Sequence, residues 1–193
     1  MAKINYWQII SMEIEKIVVG DYESNCYLVE SNGEFVIIDP GEDAQIIMEK
    51  LEELGIIPKF IINTHHHFDN TFANEEVRER TGAKVLIHEA EEGYIDFQPD
   101  KFLKDGDVVN IGDEALTIVH TPGHTKGSVC LVGEGMIFTG DTLLKDAFGR
   151  TDMPGGDEEE LAHSLQKVVR VLEPGMTVYP GHGEEFNLRE MVS

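Results

Sequence analysis

Phe60-Ile61-Ile62-Asn63-Thr64-His65-His66-His67-Phe68-Asp69-Asn70 is the stretch on which the reading of this chain turns. Phe60-Ile61-Ile62 is an apolar run of strand type. Beyond it, His65 and His67 stand two residues apart with Asp69 two further on, so three metal-binding side chains fall within one short loop. Imidazole and carboxylate together suit zinc, iron or manganese. Side chains at the end of a rigid strand are held in place before a metal arrives.

Three further segments repeat the arrangement, each an apolar run that ends in a ligand type beside glycine. Residues 115–119 lead to Thr121-Pro122-Gly123-His124, 136–138 to Thr139-Gly140-Asp141-Thr142, and 178–179 to Pro180-Gly181-His182-Gly183. If these strands share sheets, their ends converge on one rim, where glycine allows sharp turns and close backbone approach. His65, His67, Asp69, His124, Asp141 and His182 then make six ligands, enough for two metals that share a bridging carboxylate. Such a site makes hydroxide from bound water at neutral pH and polarises a carbonyl or phosphoryl oxygen. No motif marks a serine or cysteine nucleophile.

The chain has 193 residues, 41% hydrophobic and 27% charged, which places it among globular proteins. The expectation is a single domain over 1–193, with 1–11 an optional extension because Met12 offers a second start. A formal net charge of −22 repels phosphate backbones and anionic membranes, so neither nucleic acid nor membrane is expected as a partner. Cys26 and Cys130 both lie in apolar runs and read as buried free thiols. With no signal peptide and no membrane-spanning run, the expected location is cytoplasmic.

Strand-like and helix-like segments alternate. Strands are expected over 15–19, 26–30 and 35–38, the last two joined by the turn Ser31-Asn32-Gly33. A helix over 44–54, with apolar residues at 46, 47, 51 and 54, stops at Gly55. Strand 59–62 precedes the histidine loop, a helix over about 73–80 follows it, and 84–87 is another strand. Hairpins are expected at 107–111 with 115–120 and at 129–132 with 136–139, then a helix over about 158–172 started by Asp157 and Glu160 at capping-box spacing, then strand 177–179. Mixed hairpins and crossover helices point to an α/β (α+β) fold of two sheets covered by helices, not one doubly wound sheet.

The set His65-x-His67-x-Asp69, His124, Asp141 and His182, in that order, resembles the metallo-β-lactamase superfamily, and the resemblance spans about residues 13–185. Asp39 in Ile37-Ile38-Asp39-Pro40-Gly41 is similar to that family's early strand-end aspartate. The resemblance implies a four-layer αββα sandwich of two mixed sheets with the metals at one edge between them. Gly140-Asp141-Thr142-Leu143-Leu144 and Gly149-Arg150-Thr151-Asp152-Met153-Pro154-Gly155-Gly156 resemble the short glyoxalase II-like thioesterases of the hydroxyacylglutathione hydrolase type. By that resemblance His65, His67 and His124 hold a first metal and Asp69 and His182 a second, with Asp141 bridging. The metal is zinc, as one or two ions, with iron or manganese as alternatives; Asp69 and Asp141 are the candidate catalytic carboxylates. The implied reaction is hydrolysis of a small thioester by metal-bound hydroxide, which suits a thiolate leaving group that needs little acid assistance.

Two departures stand out. The family pattern has histidine where this chain has Asn70, and an amide oxygen is a weaker ligand than imidazole. The chain also ends at Ser193, soon after His182, without the helical C-terminal domain of full-length glyoxalase II. Asn70 makes a second class of function attractive, a mononuclear iron enzyme resembling persulfide dioxygenase, with iron on His65, His124 and Asp141. The Met-Pro-Gly-Gly continuation favours the hydrolase, while a decayed metal-binding protein and a nuclease are less favoured.

Other residues read more plainly. His66 is expected to point away from the metals in a supporting role, and His88, His120 and His163 to be structural or surface residues. Asp39 either caps the turn before Pro40 or hydrogen-bonds a ligand histidine. Arg150 and Asp152 read as a structural pair, Lys126 as solvated or as an anion contact, and Phe148 and Tyr179 as pocket wall or core.

Overall fold

The computed structural model describes residues 12–187; the optional extension at 1–11 lies outside the described residues. Among the described residues twelve strands form two six-stranded sheets. In chain order the elements are β1 (Glu13–Val19), β2 (Ser24–Ser31), β3 (Glu34–Ile38), α1 (Ala44–Leu54), β4 (Phe60–Ile62), α2 (Phe68–Thr71), α3 (Asn74–Thr81), β5 (Lys84–His88), β6 (Lys101–Leu103), β7 (Val108–Ile111), β8 (Glu114–His120), β9 (Val129–Gly133), β10 (Met136–Gly140), α4 (Glu158–Val171), β11 (Thr177–Pro180) and β12 (Phe186–Asn187). The first sheet runs β1-β2-β3-β4-β5-β6 and the second β12-β11-β10-β9-β8-β7.

Period-two patterning fills three cores. Along β3, Val36 and Ile38 face the other sheet, where they meet Leu116, Ile118, Leu131 and Phe138. Ile37, between them, faces outward against Ile47 and Leu51 of α1 and Val77 of α3. Along β10, Phe138 points inward, while Ile137 packs outward with Val168 of α4. Each wholly buried isoleucine or phenylalanine contributes about 1.5–3 kcal/mol. The layers are therefore helices, sheet, sheet, helix, as the resemblance implied.

The hairpin joining β2 to β3 has Asn32 at φ 47° and Gly33 at φ 79°, the paired left-handed conformation that favours Asn-Gly in two-residue turns. Helix α1 begins at Asp43, whose carboxylate accepts from Ile46 N at 3.2 Å, and ends at the left-handed Gly55. Its buried stripe is Ala44, Ile47, Met48 and Leu51, not the expected 46, 47, 51 and 54; Ile46 and Leu54 are exposed. Alanine and methionine complete the i, i+3, i+4, i+7 stripe that the larger aliphatics obscured. The strands β6 and β12 and the 3₁₀ turn Glu89–Glu91 had no periodic signal, being two or three residues long.

The parallel runs β3-β4-β5-β6 and β10-β11 send their C-terminal ends to one rim. Cross-sheet bonds close that rim. Asn25 N donates to Gly181 O at 2.8 Å, Tyr27 Oη to Pro180 O at 2.6 Å, and Val129 N to Thr64 O at 2.9 Å. Among the described residues no helix is long and apolar enough to cross a membrane.

Candidate metal centre

The rim brings together all six residues expected there. His65 and His67 follow β4, His124 follows β8, and the ligand atoms of these three lie within 4.8 Å of one another. The rings of His65 and His67 are 4.7 and 4.6 Å from that of His124. Asp141, just past β10, puts Oδ2 3.5 Å from His124 Nε2 and 3.6 Å from His182 Nε2. His182 Nε2 also lies 3.2 Å from Asp69 Oδ2, which accepts a further bond from Ser24 Oγ at 3.0 Å. Asp69 and Asn70 sit on the helical turn α2 and not in a loop, because Asn70 N and Thr71 N both bond back to His67 O.

One ring nitrogen of each of three histidines is tied to a neighbour. His65 Nδ1 lies 3.0 Å from Thr64 Oγ1, His124 Nδ1 donates to Arg150 O at 2.8 Å, and His182 Nδ1 donates to Tyr22 O at 3.1 Å. Such bonds fix the ring and turn Nε2 toward the rim, where that of His182 meets Asp69, that of His65 meets Asn70 Nδ2, and that of His124 has no hydrogen-bond partner. The network at the first of these runs further: Thr64 N and Oγ1 donate to the two oxygens of Asp39 at 2.8 and 2.7 Å. Asp39 therefore neither caps its turn nor touches a histidine. It steers His65 through Thr64, and its own φ of 50° turns the backbone at the rim.

The electrostatics favour neutral imidazole at His65 and His67. Burial, then the neighbouring His124 and His67, pushes His65 well below its usual 6.5; burial, then His124, brings His67 down to about 4. The hydrogen bond to Asp69 raises His182 to about 9. Burial pushes Asp69 upward, but its bonds from His182 and Ser24 outweigh that and hold it low. Burial raises Asp141 against the pull of His182 and His124.

Buried polar atoms with no partner test whether a metal fits. His67 Nε2, His124 Nε2 and Asp141 Oδ1 are such atoms, all at the rim. A buried polar atom without a bond costs about 1–3 kcal/mol, which a cation among these donors removes. The triad and the fold support a divalent metal. Asn70 is fully buried with Nδ2 3.2 Å from His65 Nε2 and Oδ1 unpaired.

Of the remaining expectations, Arg150 and Asp152 pair at 2.6 and 2.8 Å on the surface, and Arg150 contributes its backbone oxygen to His124. That backbone role leaves no mark in a sequence. Tyr179 belongs to the aromatic core with Tyr27 and Phe138, whereas Phe148 is exposed and so is Lys126. His88 stacks on His120 at 4.1 Å, away from the triad, and His163 is exposed. His66 bonds Glu91, a buried residue that the sequence reading passed over. Beside His66 and His67 a groove opens between Phe68, Phe72, Tyr94 and Phe97. Cys26 and Cys130 are free and buried.

A rim of histidines and carboxylates between two helix-covered sheets fits a metal-dependent hydrolase. The Metallo-beta-lactamase superfamily profile matches residues 19–182, and the chain belongs to that superfamily. It is 32% identical to the probable metallo-hydrolase YqgX of Bacillus subtilis, covering 92% of this chain and 93% of the relative. It is 28% identical to hydroxyacylglutathione hydrolase GloC of Haemophilus influenzae over 89% of this chain and 91% of the relative. Among solved structures it is similar to BLEG-1 B3 metallo-beta-lactamase (TM-score 0.87, 29% identity, 94% and 97% coverage). It is likewise similar to the di-iron form of TTHA1623 (0.81, 29%, 91% and 95%) and to ETHE1 of Myxococcus xanthus (0.81, 28%, 92% and 80%).

Proposed function

We propose that this chain is a cytoplasmic thioesterase of the hydroxyacylglutathione hydrolase type, with zinc as its metal. His65, His67 and His124 would hold one ion, Asp69 and His182 a second, with Asp141 between them. The observation that carries this reading is the position of Asp141, whose Oδ2 is 3.5 Å from His124 Nε2 and 3.6 Å from His182 Nε2, so one carboxylate reaches both groups. The similarity to GloC supports the substrate class.

When bound, the metal supplies a Lewis acid for the acyl oxygen and lowers the pKa of water. The rest falls to the chain. The bonds from Nδ1 of His65, His124 and His182 aim Nε2 at the rim, and Asp69 and Asp141 provide the anionic oxygens. Water oxygen joins the acyl carbon, the C–S bond breaks, and the thiol leaves. The cysteines take no part as nucleophiles, because both are wholly buried and burial pushes their thiols up, that of Cys130 to about 11. Phe68, Phe72, Tyr94 and Phe97 offer apolar walls beside the site for the substrate.

A second reading, an iron persulfide dioxygenase, is favoured by Asn70 in place of a second-site imidazole and by the likeness to ETHE1. Metal content together with two assays separates them. Release of thiol from S-lactoylglutathione with two metal equivalents per chain is expected. One tightly held iron with oxygen uptake on glutathione persulfide would replace the hydrolase reading with the second.

A further inference from the structure

We infer that Glu91 is a positioning residue that sets the separation of the two loops carrying the histidine triad; the inference rests on that triad being the metal site. Glu91 lies on the 3₁₀ turn after β5 and is wholly buried. Its two carboxylate oxygens serve different loops. Oε2 accepts from His66 Nδ1 at 2.7 Å, and Oε1 accepts from the hydroxyl of Thr125. His66 stands between His65 and His67, in the segment that follows β4 of the first sheet. Thr125 follows His124, beyond a strand of the second sheet.

One side chain on a third element thus holds both halves of the triad. Each arm is braced in turn. Thr125 Oγ1 is 2.7 Å from Ser128 Oγ, which accepts from Thr125 N at 3.0 Å, and the His66 ring stacks on Tyr94 at 5.1 Å. The 123–128 loop also packs directly on Glu91. A Cβ at Gly127 would lie 2.5 Å from Glu91 Cγ, so the loop reaches the carboxylate only because that residue is glycine. A buried carboxylate costs several kcal/mol unless it is well bonded, so its arms resist displacement. Histidines held apart at a set distance lose less entropy when they close on an ion.

The test titrates wild type, Glu91→Ala and Glu91→Gln with Co²⁺, reading affinity and the visible ligand-field spectrum. Removing partners behind metal ligands typically lowers affinity 10–100-fold. Glu91→Ala is expected to show such a loss with an altered spectrum. Glu91→Gln keeps both contacts with the His66 tautomer reversed, and is expected to recover most of the affinity. His66→Phe and Thr125→Val each cut one arm and serve as a second test should Glu91→Ala fail to fold. With one arm cut the link is already broken, so the double variant is expected to bind no more weakly than the worse single one. Losses that multiply in the double variant, or wild-type affinity and spectrum in Glu91→Ala, overturn the inference. Absence of Co²⁺ uptake by the wild type overturns the metal assignment and this inference together.

Discussion

Replacing Asp39 by asparagine is expected to weaken metal binding while it stabilises the metal-free protein at neutral pH. Asp39 is 1% exposed and accepts both the N–H and the hydroxyl of Thr64. Because that hydroxyl proton points at Asp39, Thr64 Oγ1 accepts from His65 Nδ1–H, and the lone pair of His65 lies on Nε2. An asparagine places an NH₂ against Thr64 Oγ1 and turns its proton toward His65 Nδ1. The imidazole then carries its proton on Nε2, where Asn70 Oδ1, at present unpaired, can accept it by an amide flip. Metal affinity should fall about 10–100-fold.

Stability moves the other way with pH. Burial lifts the Asp39 carboxyl from 3.8 to about 7, against the two Thr64 bonds that lower it. At about 1.36 kcal/mol per tenfold change in proton affinity, that is on the order of 4 kcal/mol. A raised folded-state pKa contributes stability below pH 3.8 that is lost as pH rises through about 7. The asparagine variant lacks this loss. Urea unfolding of the chelated proteins from pH 4 to 8, with zinc affinity from competition against a chromophoric chelator, reads both effects. A stability difference that stays level across that range, or unchanged zinc affinity, refutes the relay.

Asn70→His should raise occupancy of the second metal, measured as equivalents per chain after dialysis. It should also lower the metal-free melting temperature, since overpacking a buried site costs about 1–3 kcal/mol. His182, held near 9 by Asp69, must lose its proton to bind, so loading of the second site should strengthen as pH rises toward 9 and release a proton detectable by buffer-dependent calorimetry. Gly149→Ala puts a Cβ 2.2 Å from Asp141 O and 2.6 Å from His124 Nδ1, so both metal uptake and thermal stability should drop, read by Co²⁺ titration and melting. With a net charge of −22, kcat/KM for an anionic thioester should rise with added salt as screening weakens repulsion, followed by steady-state kinetics.

The strand-then-ligand design of 60–70, 115–124, 136–142 and 178–183 marked the six rim residues, because apolar period and ligand spacing are local properties of the chain, and the superfamily followed from the resemblance those motifs carry. The turn at Asn32-Gly33 and the helix stop at Gly55 were legible for the same reason. What only the tertiary structure decided are the partners behind the ligands. Thr64 between Asp39 and His65, the Arg150 carbonyl on His124, the Tyr22 carbonyl on His182, and Glu91 between two loops join residues far apart in sequence or use backbone atoms common to every residue. The buried face of α1 was settled in the same way, since Ala44 and Met48 face the sheet while the larger Ile46 and Leu54 face water. Residue type alone carries no record of which neighbour the fold supplies; that follows from how two sheets close on one another at a shared rim.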